Sequence, residues 1–79
     1  MANNTIIRDL IASGRKIVDI IPATPLTDTE IRLDNGYSIQ CNRKEGMGLW
    51  RENSDGTYTA FPPRKSKIEL FADLKKAGI

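Results

Sequence analysis

The chain has 79 residues, of which 39% are hydrophobic and 28% charged, and it carries a net charge of +2 with a pI near 8.9. This length predicts one domain, residues 1–79, with a modest core, and the composition argues against an intrinsically disordered chain. The small net charge does not require a partner recognised by charge alone, although the basic pI keeps nucleic acid among the candidate partners.

Histidine is absent and Cys41 is the only cysteine, which removes several classes of site. Without histidine the commonest general base and metal ligand are missing, so we expect no enzyme, no metal site and no cofactor. A lone cysteine forms no intrachain disulfide, and its apolar strand position predicts a buried small hydrophobe. No apolar run reaches the roughly 20 residues of a membrane span, and the N-terminus lacks a signal-peptide pattern. We therefore expect a cytoplasmic protein of a bacterium, or of a virus or plasmid that a bacterium carries.

The N-terminal segment has the apolar periodicity of an amphipathic helix. Its apolar residues recur at helical spacing: Ile6, Ile7, Leu10 and Ile11. Asn4 is expected to cap the start of this helix, and Gly14 to supply the left-handed residue just after its end. A first helix is therefore predicted between these two residues.

A short β-branched strand is predicted over residues 16–21. Pro22 and Pro25 end it, because proline lacks a backbone N–H for the sheet and restricts the residue before it. Asp19 interrupts the apolar run, and we interpret it as a solvent-facing or edge-strand residue, with a buried ion pair or ligand contact as the alternative. Leu26 is expected to return to the core from the loop that follows.

The first hairpin is predicted around the Asp-Asn-Gly turn at 34–36, which joins two alternating apolar and polar strands. A two-residue type I′ turn would place Ile31 opposite Gln40 and mix apolar with polar side chains on one face. A three-residue loop instead pairs Ile31 with Ile39 and leaves the polar residues on the other face. We therefore predict the longer loop, with Gly36 in the left-handed conformation.

A second hairpin of the same type is predicted around the Ser-Asp-Gly turn at 54–56, with strands at about 49–52 and 58–61. Its register gives these cross-strand pairs: Leu49 with Phe61, Trp50 with Ala60, and Glu52 with Tyr58. Unlike the first hairpin, this one carries apolar side chains on both faces. That difference is the first sign of a working surface.

The segment at 42–48 between the hairpins is expected to be a polar link outside the sheet. Its Gly46 and Gly48 lack the third glycine and the following helix of a phosphate-binding loop. Each glycine of the chain has a structural role available, so none is assigned to chemistry.

The C-terminal helix has the clearest local signals of the chain. Ser66 and Glu69 form a capping box, in which each residue satisfies a backbone N–H of the other. Gly78 is expected to end the helix, with Ile79 in contact with Leu74. The predicted core stripe consists of Ile68, Phe71, Leu74 and Ala77, widened by Leu70 and Ala72.

Together these elements predict a small single α+β domain in the order α-β-β-β-β-β-α, with a mainly antiparallel sheet, two hairpins and a helix at each end. The residues match no family motif. In outline, strands followed by a C-terminal helix resemble the sheet-plus-helix DNA-binding modules of integrase arm domains, whose sheet reads the major groove. This resemblance keeps nucleic acid among the candidate partners, since a fold outline does not establish function.

The second hairpin carries the candidate partner-binding surface. It combines aromatic and basic side chains: Trp50, Arg51 and Tyr58, with Arg43 and Lys44 at its edge. Aromatic residues beside arginine are typical anchors of protein interfaces, and on a sheet they also stack nucleic-acid bases. The alternative is that Trp50 and Tyr58 cover a satellite core under the first helix. The outcome depends on whether the helices pack on one face of the sheet or on both.

We therefore expect a small non-catalytic protein of a regulatory or inhibitory kind, such as mobile elements encode, that binds another protein. Trp50 would be the anchor, and the cations would steer and orient the partner. The alternative is a nucleic-acid-binding module that uses the same surface together with Arg64 and Lys65. An uncovered outer strand would also permit a homodimer through an open sheet edge.

Overall fold

The structure, a computed structural model, describes residues 2–42 and 44–79, with the side chains from residue 5 onward apart from residue 43. Along the chain, one helix precedes and one helix follows five strands, which is the predicted order. The elements are α1 (Ala2–Ala12), β1 (Ile17–Ile21), β2 (Thr29–Leu33), β3 (Tyr37–Asn42), β4 (Gly46–Glu52), β5 (Tyr58–Ala60) and α2 (Lys67–Lys76). The predicted α+β class is confirmed.

The five strands form one antiparallel sheet in the order β1-β2-β3-β4-β5, so each strand pairs with its neighbours in sequence. In the first hairpin Ile31 lies opposite Ile39, which confirms the three-residue loop, and Gly36 has φ +89°. In the second hairpin Trp50 lies opposite Ala60 as predicted. Register in both hairpins therefore follows the alternation of apolar and polar residues.

A third hairpin joins β3 to β4, and the predicted polar link at 42–48 is wrong. β4 begins at Gly46, which lies opposite Asn42. The Asn42 side-chain oxygen accepts hydrogen bonds from the backbone N–H groups of Lys44 and Glu45, each at 2.8 Å. These bonds close a tight turn, so residues with loop-like chemistry continue the sheet.

Both helices pack on the same face of the sheet. The core consists of Ile6 and Leu10 from α1, Leu70 and Leu74 from α2, and Ile31, Leu33, Tyr37, Ile39 and Leu49 from the strands. Because side chains alternate along a strand, the intervening residues point to the opposite side. We call that side the open sheet face; its outward positions include Glu30, Arg32, Ser38, Gln40, Gly48, Trp50, Glu52, Tyr58 and Ala60. Within the described chain no helix covers it.

The start of α1 differs from the prediction, and its end agrees. The helix begins at Ala2, so Asn4 lies inside it and the predicted cap at Asn4 is wrong. After the helix, the backbone N–H of Arg15 donates to the Leu10 carbonyl at 3.0 Å across Gly14. This bond closes the helix where the sequence predicts its end.

The Thr24 side chain stabilises a turn in the loop between β1 and β2, and Leu26 in this loop is 94% exposed. The Thr24 hydroxyl oxygen accepts hydrogen bonds from the backbone N–H groups of Leu26 and Thr27, at 3.2 and 3.1 Å. This side-chain turn holds the loop away from the core. The prediction that Leu26 packs into the core is therefore wrong.

The caps of α2 lie where the sequence predicts them, with the Glu69 carboxylate bonded to the Ser66 hydroxyl in place of the predicted backbone N–H. The backbone N–H of Glu69 donates to the Ser66 hydroxyl at 3.3 Å, and that hydroxyl in turn lies 3.2 Å from a Glu69 carboxylate oxygen. At the other end Gly78 donates to Lys75 at 3.0 Å and Ile79 to Leu74 at 2.9 Å, a Schellman closure.

The inward stripe of α2 agrees with the prediction at Leu70, Leu74 and Ala77 and differs at Ile68. Ile68, expected in the core, is 84% exposed, whereas Leu70, Asp73 and Leu74 are buried. Ala77 is partly buried against the same core. These four positions recur at helical spacing, but Asp73 is charged and so conceals the apolar pattern.

Arg64 and Asp73 join α2 to the sheet. Arg64 Nε and Nη2 donate to the two Asp73 carboxylate oxygens at 2.7 and 3.1 Å, and these bonds raise the pKa of the guanidinium. The Asp73 carboxylate is 1% exposed. The backbone of Arg64 also exchanges two hydrogen bonds with Met47 of β4, at 2.7 and 2.8 Å. One residue therefore pairs with a strand through its backbone and with a helix through its side chain.

Three glycine-to-alanine variants separate close packing from backbone strain. Gly46 has φ +101°, and a Cβ there would overlap the Arg64 carbonyl. Gly56 has φ +86° but open space around it, and Gly48 has an ordinary φ with nothing within 4 Å of a Cβ. We expect Gly46→Ala to lower the free energy of unfolding by more than about 3 kcal/mol and Gly56→Ala by about 1 kcal/mol, whereas Gly48→Ala should raise it by about 0.5–1 kcal/mol. Urea denaturation measures all three, and equal losses would contradict the close approach at Arg64.

Replacing Arg64 and replacing Asp73 should each destabilise the protein, but by different amounts. Asp73→Asn keeps the shape and an acceptor, so we expect a loss of about 1–3 kcal/mol in the free energy of unfolding. Arg64→Met leaves the buried carboxylate unpaired and should cost more, because Asp73 is the buried member of the pair. Adding Asp73→Asn to Arg64→Met should recover part of that loss. A double variant less stable than Arg64→Met alone would contradict this account.

Candidate functional site

An aromatic pair occupies the open sheet face at the second hairpin. Trp50 of β4 and Tyr58 of β5 lie with ring centroids 5.8 Å apart and planes inclined at 51°. Tyr58 is 63% exposed, whereas Trp50 is half-buried and its indole nitrogen is fully buried. The part of the Trp50 side chain that reaches solvent therefore excludes the indole N–H. The pair presents an aromatic surface to solvent.

The turn of the second hairpin is held by side chains, which fixes the position of Tyr58. Asp55 accepts hydrogen bonds from the hydroxyl and backbone N–H of Thr57, at 2.6 and 3.0 Å, and these bonds lower the pKa of its carboxyl. Asn53 Nδ2 donates to the hydroxyls of Thr57 and Thr59, each at 3.1 Å. Because the folded-state pKa of Asp55 is lowered, its support of the turn is lost only as the pH falls through that lowered value.

The structure separates Arg51 from the aromatic pair. Arg51 follows Trp50 directly in β4, so strand alternation places it on the helix-covered face. Its guanidinium carbon lies 4.9 Å from the centroid of the Tyr37 ring, and its Nε donates to Asn53 Oδ1 at 3.2 Å. Arg51 therefore covers a buried tyrosine and does not flank the Trp50 ring.

The other predicted basic residues are not gathered at the aromatic pair. Arg43 lies outside the described residues. Lys44 is exposed at the tip of the third hairpin, where its carbonyl accepts a hydrogen bond from Lys65 Nζ. Arg64 is engaged with Asp73 inside the fold. Of the predicted site residues that the structure describes, it brings together Trp50 and Tyr58.

A groove of about 330 Å³ runs beside Trp50, and sequence reasoning missed the residues that form it. Gly46, Gly48 and Trp50 occupy successive outward positions of β4, so two of the three carry no side chain. The groove is lined by Asp28, Gln40, Asn42, Glu45, Gly46, Gly48, Leu49, Trp50, Tyr58, Ala60, Phe61 and Pro63. Its sequence signal is a glycine two and four residues before an outward tryptophan.

The charge on the open sheet face is mainly negative. Carboxylates at or beside this face belong to Asp19, Asp28, Glu30, Glu45 and Glu52. Arg32 is the cation among its outward strand positions in the described chain, and it pairs with Glu30 at 2.7 Å. The described lining of the groove includes two carboxylates and neither lysine nor arginine. Cations are therefore scarce where the aromatic rings are exposed.

Candidate metal ligands are not clustered in the described chain. Within it no group of three or more cysteine, aspartate or glutamate side chains is placed to hold a metal ion. Burial, aided by the Asp28 charge, raises the pKa of the half-buried Cys41 thiol, which disfavours the thiolate. Neither described helix has the length and apolarity needed to cross a membrane.

A second groove, of about 680 Å³, lies between the two helices on the far side of the molecule. Ile68 and Phe71 line it, and a salt bridge between Lys67 Nζ and an Asp9 carboxylate oxygen, 2.6 Å apart, spans it. Its exposed apolar residue, Ile68, offers a matched control for changes on the open sheet face.

Comparison with known proteins identifies no relative of this chain. No protein-family model matches the chain, and neither the curated proteins nor the solved structures contain a match. The candidate site is therefore defined by the open sheet face, the aromatic pair and the groove beside it.

Trp50 fluorescence should report the accessibility of the candidate site, because it is the only tryptophan. We expect acrylamide to quench the native protein to an intermediate degree. Tyr58→Ala removes an exposed neighbouring ring and should increase quenching, with a stability change below about 1 kcal/mol. Ile68→Ala, on the other side of the molecule, should leave quenching unchanged. A native protein that resists quenching as a core tryptophan does would contradict the exposure of this ring.

Proposed function

We propose that this protein binds another protein through the open sheet face, with Trp50 as the anchor and Tyr58 beside it. The observation that supports the proposal is that both helices pack on one face and leave these rings uncovered on the other. Exposed aromatic side chains near the centre of a surface are the preferred anchors of protein interfaces. In this proposal the protein is non-catalytic and acts in the cytoplasm.

The surface around the anchor is rigid, which favours binding. Trp50 and Tyr58 stand on paired strands, and the Asn53 and Asp55 side chains brace the turn between them. A partner would meet a preformed surface, so little conformational entropy would be lost on binding. A small rigid protein of this kind would regulate or inhibit its partner by covering part of the partner's surface.

Charge weighs against nucleic acid as the partner. The runner-up hypothesis requires aromatic rings flanked by cations that hold phosphates. Arg51 lies on the helix side, Arg64 pairs with Asp73, and the carboxylates of Asp28 and Glu45 line the groove. These carboxylates would repel phosphates, so a protein partner is the better-supported hypothesis.

Self-association through a sheet edge is a weaker proposal. β1 is an edge strand whose pairing with β2 is irregular between Ile17 and Asp19. Such a bulge, followed here by Pro22, is a common device against edge-to-edge pairing. A homodimer through β1 would need to overcome both features.

The proposed interface can be tested by affinity capture from a lysate of the source cells. The wild-type protein, Tyr58→Ala and Ile68→Ala are each immobilised, and the bound proteins are compared by mass spectrometry. We expect a partner that binds wild type and Ile68→Ala but at least tenfold less to Tyr58→Ala, because hot-spot aromatics contribute about 2 kcal/mol or more.

Two outcomes would contradict the proposal. A partner retained by Tyr58→Ala and lost by Ile68→Ala would move the interface to the helices. Binding to DNA or RNA that weakens steeply with salt and requires Tyr58 would replace the protein partner by nucleic acid. Circular dichroism of both variants checks that each one is folded.

A further inference from the structure

The groove beside Trp50 has chemistry that selects a particular kind of side chain. We propose that it receives an arginine side chain from a basic segment of the partner protein. This inference rests on the proposed function and adds the chemistry of the partner. Shape, aromatic surface and charge each support it.

The shape of the groove follows from the glycines of β4. Gly48 provides a floor without a side chain, and its cross-strand neighbour is Gln40. Gly46 also lines the groove, although the space where its Cβ would stand is taken by the Arg64 carbonyl. The strand order places Asp28 and Gln40 on the β3 side of this floor, and Tyr58 and Ala60 on the β5 side. The volume of about 330 Å³ is large enough for a long side chain such as arginine.

The aromatic wall suits a planar cation. Trp50 is half-buried with its indole nitrogen inside, and the centroid of the exposed Tyr58 ring lies 5.8 Å from that of Trp50. A guanidinium group stacks on such rings through cation–π attraction, for which tryptophan is the best acceptor. Arginine also carries weaker hydration and a flatter head than lysine, which favours it over lysine at a stacked site.

The charges at the groove complement a cation. Asp28 and Glu45 line it, and the Asp28 carboxylate is oriented by Asn42 Nδ2 at 3.1 and 3.3 Å. Lys44 and Lys65 contact each other at the hairpin tip and do not line the groove. A guanidinium on Trp50 would therefore meet carboxylates, its preferred hydrogen-bonding partners.

The proposal is tested on the full chain with short capped peptides of four arginines, four lysines or four glutamates. Trp50 fluorescence is followed during each titration at low salt. We expect a saturable change with tetra-arginine, weaker binding with tetra-lysine, and none with tetra-glutamate. Raising the salt concentration should weaken tetra-arginine binding, since the carboxylates attract it through solvent.

Three variants distinguish binding of tetra-arginine in the groove from attraction by the overall negative charge of the open sheet face. Glu45→Gln should weaken tetra-arginine binding about two- to fivefold, the value of an exposed ion pair, whereas Glu52→Gln, at the far end of β4 and outside the lining of the groove, should not. Gly48→Val should abolish binding because it fills the floor. A Cβ at Gly48 meets nothing within 4 Å, so this variant should stay folded.

The outcomes separate this inference from the proposed function. No saturable response to tetra-arginine, equal effects of Glu52→Gln and Glu45→Gln, or binding retained in folded Gly48→Val would each overturn the arginine groove. A captured partner that Tyr58→Ala loses and Gly48→Val retains would keep the interface while removing the groove from it. A DNA oligonucleotide that itself binds at Trp50 and changes its fluorescence saturably would overturn the inference in favour of nucleic acid.

Discussion

The connection from β5 to α2 depends on Arg64, and the open sheet face depends on that connection. Its backbone extends the sheet by one bridge to Met47, and its guanidinium binds the buried carboxylate of Asp73. Gly46 allows the two backbones to approach this closely. α2 is thereby held on the same face as α1. A buried ion pair gives little net stability compared with apolar packing, so its effect is better understood as specificity for one placement of the helix.

The fold could be predicted where its signals are local. Turn residues and the alternation of side chains determine the register of the first and second hairpins, and both are correct. The third hairpin was missed because segment 42–48 is rich in polar residues and glycine, and a side-chain turn from Asn42 makes these residues compatible with a sheet. The sequence does not identify Asp73 as a buried residue, because its partner Arg64 lies outside the helix and the helical periodicity carries no information about that contact.

The candidate site could be predicted only in part for a similar reason. The sequence identifies Trp50 and Tyr58 as a pair because cross-strand register brings them together. It also groups Arg51 with them by proximity in the chain, although adjacent residues of a strand point to opposite faces. Arg51 instead covers Tyr37. The acidic groove residue Asp28 belongs to the loop before β2. Its position in the same groove as Trp50 could therefore be seen only in the three-dimensional structure.

Gly48 is the strongest sign that the open sheet face is shaped by something other than stability. Gly46 is needed for a close backbone approach, but Gly48 has an ordinary φ and open space where a Cβ would stand. Glycine within a strand is destabilising by about 0.5–1 kcal/mol relative to alanine, and a β-branched residue would fit better still. A local sequence choice that opposes the fold without a structural reason is typical of functional positions. Here that choice keeps the floor empty beside the half-buried Trp50, which is the arrangement that the proposed arginine groove requires.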